Sequence, residues 1–233
     1  FVVFQGNLLG HDAQFAAFLM PLAVLAILVG SAVALFENNI KRLLAYSSVA
    51  QIGYIMLGAS LVTVLGLTAG LLHMFNHALS KGTLFLAVMC LSTRLPGLHL
   101  ADLAGAARRM PWTMAALVVG GLSLIGVPGT AGFISKWYLL SAALQEGPLG
   151  YLLVAVIVLG SLMAVAYIWR IVEAAWFRTA PAGEGVEQAG EAPLGMLVMT
   201  WVAALANVWF GLVTQVPREL SANAATILLG HLP

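Results

Sequence analysis

Five apolar stretches, each near the roughly 20 residues that an α-helix needs to cross a bilayer, constrain this chain more than any other feature. They are residues 15–36, 42–62, 64–92, 150–170 and 194–215. Composition agrees with burial in lipid, because 61% of the residues are hydrophobic and 8% are charged, against about 25% charged in an ordinary soluble domain. We therefore predict an all-α integral membrane protein.

A sixth apolar stretch, residues 112–146, is interrupted by the sequence GVPGTAG. Pro128 cannot donate a backbone hydrogen bond, and the glycines around it loosen the helix. Each half would rise about 22 to 24 Å, which is short of the roughly 30 Å hydrocarbon core. This stretch is therefore predicted to cross once as a broken helix, which gives six crossings in all.

The basic residues test this count, because cytoplasmic loops collect Lys and Arg. With six crossings, one side holds seven of them and the other side holds only Arg218. The seven are Lys41, Arg42, Arg94, Arg108, Arg109, Arg170 and Arg178. Two separate crossings in place of the broken helix would give six against two, so the broken helix fits better and the C-terminus is expected to face outward.

Several function classes are excluded by composition and motifs. Ten Lys and Arg against nine Asp and Glu give a net charge of +1 with no basic block, which argues against a nucleic-acid partner. The single cysteine, Cys90, is interpreted as packing. We find no phosphate loop, metal motif or nucleophile motif, so no catalytic site, cofactor or metal is expected. The chain has no initial Met and no basic leader, and is expected to be part of something longer.

Three titratable residues lie in the middle of the predicted helix 64–92. His73, His77 and Lys81 have i, i+4, i+8 spacing, which places them on one helix face. A lysine at the bilayer centre costs about 2.5–3.5 kcal/mol, and Lys81 is too far from either helix end to reach water by snorkelling. We hypothesise that this stripe passes protons, because a desolvated lysine can lose its proton and histidine relays protons through two ring nitrogens.

A second candidate, Lys136, follows the predicted break together with Ser135. Transporters place ion sites at broken helices, where irregular backbone needs a cavity or protein around it. Charge on Lys81 would repel charge on Lys136 by about a few kcal/mol at an effective dielectric near 20. The structural alternatives are that Lys136 caps carbonyls freed at the break, that Pro128 is a simple kink, and that each histidine bonds a neighbouring helix.

The segment FENNIKRLLAYSSVAQIGY, residues 36–54, contains a third lysine. Asn38 or Asn39 can cap the helix that follows, which places Lys41 in a first turn where the helix dipole disfavours cations. Anchoring on the positive side explains the placement. The alternative is that Lys41, near Glu37, belongs to an internal proton path, and position alone does not decide between them.

Four segments in this order resemble a known family: NNIKRLLAYSSVAQIGYIMLG, HMFNHALSKGTLFLAV, DLAGAARRMPWT and GLSLIGVPGTAGFISKWYLL. They are similar to the antiporter-like subunits of respiratory complex I, membrane-bound hydrogenases and Mrp-type cation/proton antiporters. The resemblance covers residues 15 to about 175, and it is closest in style to the D-type component of the Mrp-type antiporters.

The resemblance implies a proton-translocating subunit built of two inverted five-helix repeats, each with a broken helix and buried lysines along a hydrated axis. This chain would be the second, C-terminal half, and without the first repeat it is not expected to translocate protons alone. About eighteen residues follow the last predicted crossing, too few for the long lateral helix of the largest complex I antiporter-like subunit, so that subunit is not expected. The residues that match the family's functional positions are Lys81, Lys136, His73, His77 and Lys41.

From these observations we predict three segments: residues 1–178 as the C-terminal repeat, 179–193 as a flexible linker, and 194–233 as the final transmembrane helix with a tail. The expected function is the proton-conducting subunit of a multisubunit sodium/proton antiporter in the cell inner membrane, with other membrane subunits as partners. The alternative is an antiporter-like subunit of a complex I (NADH:quinone oxidoreductase) or membrane-bound hydrogenase. A third class is a membrane scaffold whose polar residues hold helices together.

Overall fold

The computed structural model describes residues 11–95, 97–179 and 190–230, which form nine α-helices and two short 3₁₀ helices. The 3₁₀ helices are Leu100–Leu103 and Leu144–Glu146. In chain order the α-helices are α1 (His11–Phe36), α2 (Ile40–Ser60), α3 (Val64–Ser92), α4 (Ala106–Arg109), α5 (Pro111–Ile125), α6 (Ala131–Ala143), α7 (Pro148–Phe177), α8 (Leu194–Leu212) and α9 (Gln215–Leu228).

The helices α1, α2, α3, α7 and α8 are long and apolar enough to cross a membrane, and α5 is a shorter apolar helix. The helix α3 lies at the centre of the bundle and packs against α2, α5, α6, α8 and α9. The prediction of an all-α membrane fold is confirmed. The predicted helix boundaries agree with the observed ones to within a few residues, except that α1 begins four residues earlier than predicted and α7 ends seven residues later.

The ends of α2 and α3 follow ordinary capping chemistry. Asn39 is the residue that caps α2, and its side-chain oxygen accepts hydrogen bonds from the backbone of Lys41 at 3.1 Å and Arg42 at 3.4 Å. Thr63 caps α3 by accepting from the Gly66 amide at 3.0 Å. These caps satisfy backbone donors that a helix start leaves free, and so they fix where the two site-bearing helices begin.

The predicted break separates α5 from α6. The helix α5 ends at Gly126, whose φ of +91° favours glycine, and Gly129 at +87° completes the turn. Three contacts give the direction of the two halves, namely Leu84 with Gly120, Asn76 with Ala131, and His73 with Ser135. Residue numbers rise along α5 and α6 as they fall along α3, so both half-helices run antiparallel to α3. The two half-helices therefore follow one another along a single crossing, as predicted.

The backbones of α5 and α6 approach each other closely at the break. A Cβ atom on Gly132, in the first turn of α6, would lie 1.8 Å from the carbonyl oxygen of Ser123 in α5. The Ser123 hydroxyl also accepts a hydrogen bond from the Gly132 amide at 3.2 Å. Position 132 therefore accepts only glycine in this geometry, and the two half-helices meet backbone to backbone.

The basic residues cluster at one end of the bundle, as the charge pattern predicts. Arg170 of α7 donates to the carbonyl oxygen of Leu35 and to Asn38 Oδ1 at 2.7 Å. These contacts place Arg170 at the same end as Lys41 and Arg42. Two separate crossings in place of the broken helix would have moved Arg170 to the opposite end, so its position supports the broken helix.

The predicted C-terminal tail contains a helix, α9. The helix α9 packs against α3, buries Pro217, Ser221 and Ala225, and exposes Val216 and Leu220. The exposed polar residues Arg218, Glu219 and Asn223 lie on the remaining face, so the helix is amphipathic. The sequence of α9 contains no long apolar run, because only part of the helix surface is apolar, and so the apolar stretches do not predict it.

Most of the predicted linker, residues 179–193, falls outside the described residues, but Glu191 is described and docked. Its carboxylate accepts hydrogen bonds from the amide of Trp112 at 2.6 Å and from the hydroxyl of Thr113 at 2.7 Å. Its carbonyl oxygen accepts from Arg94 Nε at 3.1 Å. Glu191 therefore caps the first turn of α5 and ties the start of α8 to the broken helix.

We expect Glu191→Ala to destabilise the protein by about 1 kcal/mol, because it leaves the first-turn donors of α5 without an acceptor. The control is Glu191→Gln, which keeps an acceptor oxygen and should lose less. The measurement is the apparent thermal midpoint of the purified parent complex in detergent. An unchanged midpoint for Glu191→Ala would contradict a capping role for Glu191.

Candidate functional site

A polar layer separates two apolar cores inside the bundle. On α3, Ala69 belongs to one core and Leu84 to the other, and the polar stretch lies between them. On α2, Ser47 and Gln51 likewise lie between Leu44 and Leu57. The buried polar side chains of this layer are Ser47, Gln51, His73, Asn76, Ser80, Lys81, Thr83, Ser123, Ser135, Lys136 and Asn207.

Lys81 is buried against α2, with 6% of its surface exposed. Its ammonium donates to the carbonyl oxygen of Leu44 at 2.6 Å and to the hydroxyl of Ser47. The ring of Phe85 lies 5.9 Å from Nζ. The position confirms that Lys81 does not reach the surface by snorkelling, since its ammonium points into the bundle.

His73 is also buried and links three helices. Its Nε2 lies 3.0 Å from Gln51 Oε1 on α2, and its Nδ1 lies 2.9 Å from Ser135 Oγ on α6. An amide oxygen only accepts, so the Gln51 contact places the proton of neutral His73 on Nε2 and leaves Nδ1 as an acceptor for the Ser135 hydroxyl, which also lies 3.2 Å from the carbonyl oxygen of Gly132. The ring edge meets Tyr54 at 5.4 Å between centroids.

His77 lies one turn along α3 from each of His73 and Lys81. Its ring stacks on that of His73 with centroids 6.5 Å apart and an interplanar angle of 9°. The side chain is half-buried, and its Nδ1 has no hydrogen-bond partner among the described residues. A buried ring nitrogen without a protein partner is normally satisfied by water. The predicted stripe is therefore contiguous from His73 to Lys81.

Lys136 is buried at the break, with 5% of its surface exposed. Its ammonium donates to the last carbonyl oxygens of α5, those of Leu124 at 3.1 Å and Ile125 at 2.9 Å, and to Ser161 Oγ at 3.0 Å. The ring of Tyr54 lies 4.8 Å from Nζ. Lys136 thus caps carbonyls freed by the break, and this capping role does not exclude a role in proton transfer.

Neither buried lysine forms an ion pair with a carboxylate of the described residues. Their acceptors are carbonyl and hydroxyl oxygens, which hydrogen-bond to an ammonium and to a neutral amine alike. A buried charge without a counter-ion is costly. Such a lysine can change its protonation state without breaking a salt bridge, which is the property that a proton relay needs.

Hydrogen bonds link the polar layer in two separate steps. Lys81 bonds Ser47 on α2, and one turn further along α2 Gln51 bonds His73, which in turn bonds Ser135 on α6. Lys136 is the next residue after Ser135. The structure therefore places four of the five predicted site residues, Lys81, His77, His73 and Lys136, in or beside the same polar layer.

The fifth predicted residue, Lys41, lies apart from this network. It is exposed in the first turn of α2. Glu37, the proposed neighbour of Lys41, instead pairs with Arg42 at 3.1 Å. Backbone hydrogen bonds, chiefly from Asn39, hold the pKa of Glu37 below its ordinary value. A role for Lys41 in proton translocation stays a prediction, and its position agrees equally with anchoring on the positive side.

A second polar cluster, which contains no titratable group, lies at the break itself. Ser80 Oγ lies 2.8 Å from Ser123 Oγ and donates to Asn207 Oδ1 of α8 at 3.0 Å. Asn76 donates to the carbonyl oxygen of Ala131 at 2.6 Å, and its own Oδ1 has no partner among the described residues. This cluster connects α3 and α8 to the end of α5 and the start of α6, on either side of the break.

Sequence reasoning missed the partners that lie on other helices, namely Ser47, Gln51, Tyr54, Ser161 and Asn207. One signal was available, because Ser47 and Gln51 are four residues apart in an apolar helix and so share a face. Elsewhere a single polar residue in a long apolar run does not show which face of its helix points into the bundle. Among the described residues, no three His, Cys, Asp or Glu side chains come together as metal ligands.

The fold and site define a class: a multi-pass membrane protein with buried lysines placed in a polar layer beside a broken helix. Comparison with known families identifies it further. The family described as NADH:quinone oxidoreductase/Mrp antiporter, transmembrane, matches residues 1–164. The chain belongs to this family, which confirms the predicted resemblance and the expected location in the cell inner membrane.

Individual proteins agree with this assignment. NADH-quinone oxidoreductase subunit N of Desulforudis audaxviator is 39% identical over 204 residues, which are 83% of this chain and 40% of that protein. An archaeal membrane-bound sulfane sulfur reductase structure is 36% identical, with a TM-score of 0.77 over 85% of this chain and 32% of the other. The Mrp complex of Dietzia sp. DQ12-45-1b has a TM-score of 0.84 at 24% identity, over 94% of this chain and 48% of the other. The chain thus spans less than half the length of these proteins.

Proposed function

We propose that this chain is the C-terminal half of a proton-translocating subunit in a redox-driven, complex I-like membrane assembly. The observation that carries the proposal is the polar layer, in which the stripe from Lys81 to His73 lies beside Lys136 and neither lysine has a carboxylate counter-ion among the described residues. The 39% identity to an NADH-quinone oxidoreductase subunit N supports the redox-driven class over the antiporter that the sequence first favoured. Other membrane subunits of that assembly are the proposed partners.

The proposed mechanism passes protons along the polar layer between the two apolar cores. The amide of Gln51 does not readily exchange a proton, so Gln51 orients His73 and does not carry the proton itself. His77, stacked on His73 and one turn from Lys81, is the group that joins them, because its Nδ1 has no hydrogen-bond partner among the described residues. Protonation of one lysine then disfavours protonation of the other by like-charge repulsion.

A sodium/proton antiporter is the second candidate function. The likeness to the Mrp complex has a TM-score of 0.84, but at 24% identity it describes the fold alone. The same buried lysines serve either function. What distinguishes the two is the source of energy, which lies outside this chain.

The test compares two driving forces in inverted membrane vesicles that contain the full-length parent complex. We expect NADH to acidify the vesicle interior and a sodium gradient without NADH to have no effect on internal pH. A pH change driven by sodium alone would overturn the redox-driven proposal and support the antiporter. Absence of both responses in an assembled complex that oxidises NADH would overturn both functions and support a membrane scaffold.

A further inference from the structure

The hydroxyl of Tyr167 is a buried polar group that the mechanism above does not use. Tyr167 lies on α7, is completely buried, and packs in the apolar core that also contains Leu44 and Leu84. Its place in this core puts it beside Leu44 of α2, and its hydroxyl lies near Ser47 and Gln51, one and two turns further along that helix. It nevertheless has no hydrogen-bond partner among the described residues. A buried hydroxyl left without a partner is costly, so its placement needs a reason.

The two neighbours of this hydroxyl, Ser47 and Gln51, form hydrogen bonds with Lys81 and His73 respectively. Ser47 Oγ accepts from Lys81 and donates to the carbonyl oxygen of Leu44 at 2.9 Å, which leaves it one lone pair. Gln51 accepts from His73 through Oε1, which leaves its amide NH₂ as a donor. A phenol can accept one hydrogen bond and donate another at the same time. The Tyr167 hydroxyl therefore has the chemistry to bridge Gln51 and Ser47, by accepting from the Gln51 amide and donating to Ser47.

We propose that Tyr167 is a positioning residue that couples Lys81 to His73 by bridging Ser47 and Gln51. When Lys81 loses its proton, the Ser47 hydroxyl can turn to donate to the free amine, and the Tyr167 hydroxyl keeps Ser47 in place from the other side. Through Gln51 the same hydroxyl holds His73 in the tautomer that accepts from Ser135. The inference rests on the proposed proton-translocating function.

The geometry favours a direct test of the hydroxyl, because the ring of Tyr167 is held by apolar packing that phenylalanine retains. We expect Tyr167→Phe to lower the rate of NADH-driven acidification per NADH oxidised by about two- to tenfold, the effect of losing one hydrogen bond. The assay uses vesicles that contain the full-length parent complex at matched assembly. Tyr151→Phe is the control, because Tyr151 lies on the same helix and is 72% exposed.

Two unnatural residues at position 167 separate positioning from packing. The variant with 4-fluorophenylalanine fills much of the hydroxyl volume but cannot donate, whereas the variant with 3-fluorotyrosine keeps the hydroxyl. We expect only 3-fluorotyrosine to restore the wild-type rate. Full activity of Tyr167→Phe, or equal rescue by both residues, would overturn the inference.

A parallel Lys81→Ala preparation distinguishes this inference from the function on which it rests. If Lys81→Ala abolishes acidification and Tyr167→Phe leaves it unchanged, only the role of Tyr167 fails. If neither variant changes acidification, the proposed translocation path itself fails. Loss in both, with rescue by 3-fluorotyrosine alone, supports the path and the positioning role together.

Discussion

Replacing Lys81 with alanine is expected to abolish the proton translocation carried by this subunit while the complex still assembles. Lys81 is buried in the polar layer, and its ammonium is held by Leu44 and Ser47 on α2. Loss of a positioned proton-transfer group typically slows the transfer by about 10² to 10⁴. No other lysine lies on α3 to replace it.

Two further substitutions at this position separate proton transfer from packing. Lys81→Met keeps most of the side-chain volume and removes the titratable group, so it should be as inactive as alanine without leaving a cavity. Lys81→Arg keeps the charge and the donors, but a guanidinium does not lose its proton in proteins. We therefore expect Lys81→Arg to be inactive as well.

The measurement is the number of protons moved into inverted vesicles per NADH oxidised, with assembly matched by native gel. Arg108→Ala is the control, because it removes an exposed cation outside the site. Wild-type translocation by Lys81→Arg would refute a role that requires deprotonation. Normal translocation by all three Lys81 variants, or loss of assembly in all of them, would indicate that Lys81 only holds helices together.

The fold was largely predictable because each crossing has a local signal. The helix α3 was predicted with its observed boundaries, since an apolar run begins beside the capping residue Thr63 and ends before polar residues. The break was predictable from Pro128 and its glycines. By contrast, α9 was not found, because an amphipathic helix with Arg218 and Glu219 has no long apolar run.

The site was predictable along a helix but not across helices. The spacing of His73, His77 and Lys81 fixes their shared face, because helix geometry alone sets it. Whether Lys81 meets Ser47 depends on the rotation and depth of α2 against α3, which no local pattern encodes. Lys41 illustrates the same limit, because the sequence places it in a first turn and leaves open whether it points inward.

Lys136 has two possible roles, and replacement by arginine is expected to separate them. Its ammonium caps the carbonyl oxygens of Leu124 and Ile125, so Lys136→Ala leaves these buried acceptors without a donor. Each unsatisfied group costs about 1–3 kcal/mol. We therefore expect Lys136→Ala to impair both the stability of the broken helix and proton translocation, which makes alanine alone uninformative.

Lys136→Arg keeps hydrogen-bond donors for the carbonyl oxygens of α5, but its side chain cannot lose a proton as lysine can. A cavity of about 290 Å³, lined in part by Lys136, Ser161 and Ile125, borders the ammonium and gives room for the larger guanidinium. We expect near-normal assembly and thermal stability, because the carbonyls of α5 are again capped. Translocation should remain abolished, because arginine does not release its proton.

The measurement pairs the thermal midpoint of the purified complex with protons moved per NADH oxidised in vesicles. A stable, inactive Lys136→Arg variant would assign both capping and proton transfer to Lys136. A stable variant that translocates as well as wild type would leave only capping, and the path from Lys81 would then have to end before α6. If Lys136→Arg fails to assemble, Lys136→Gln, which caps with a neutral amide, provides the same separation.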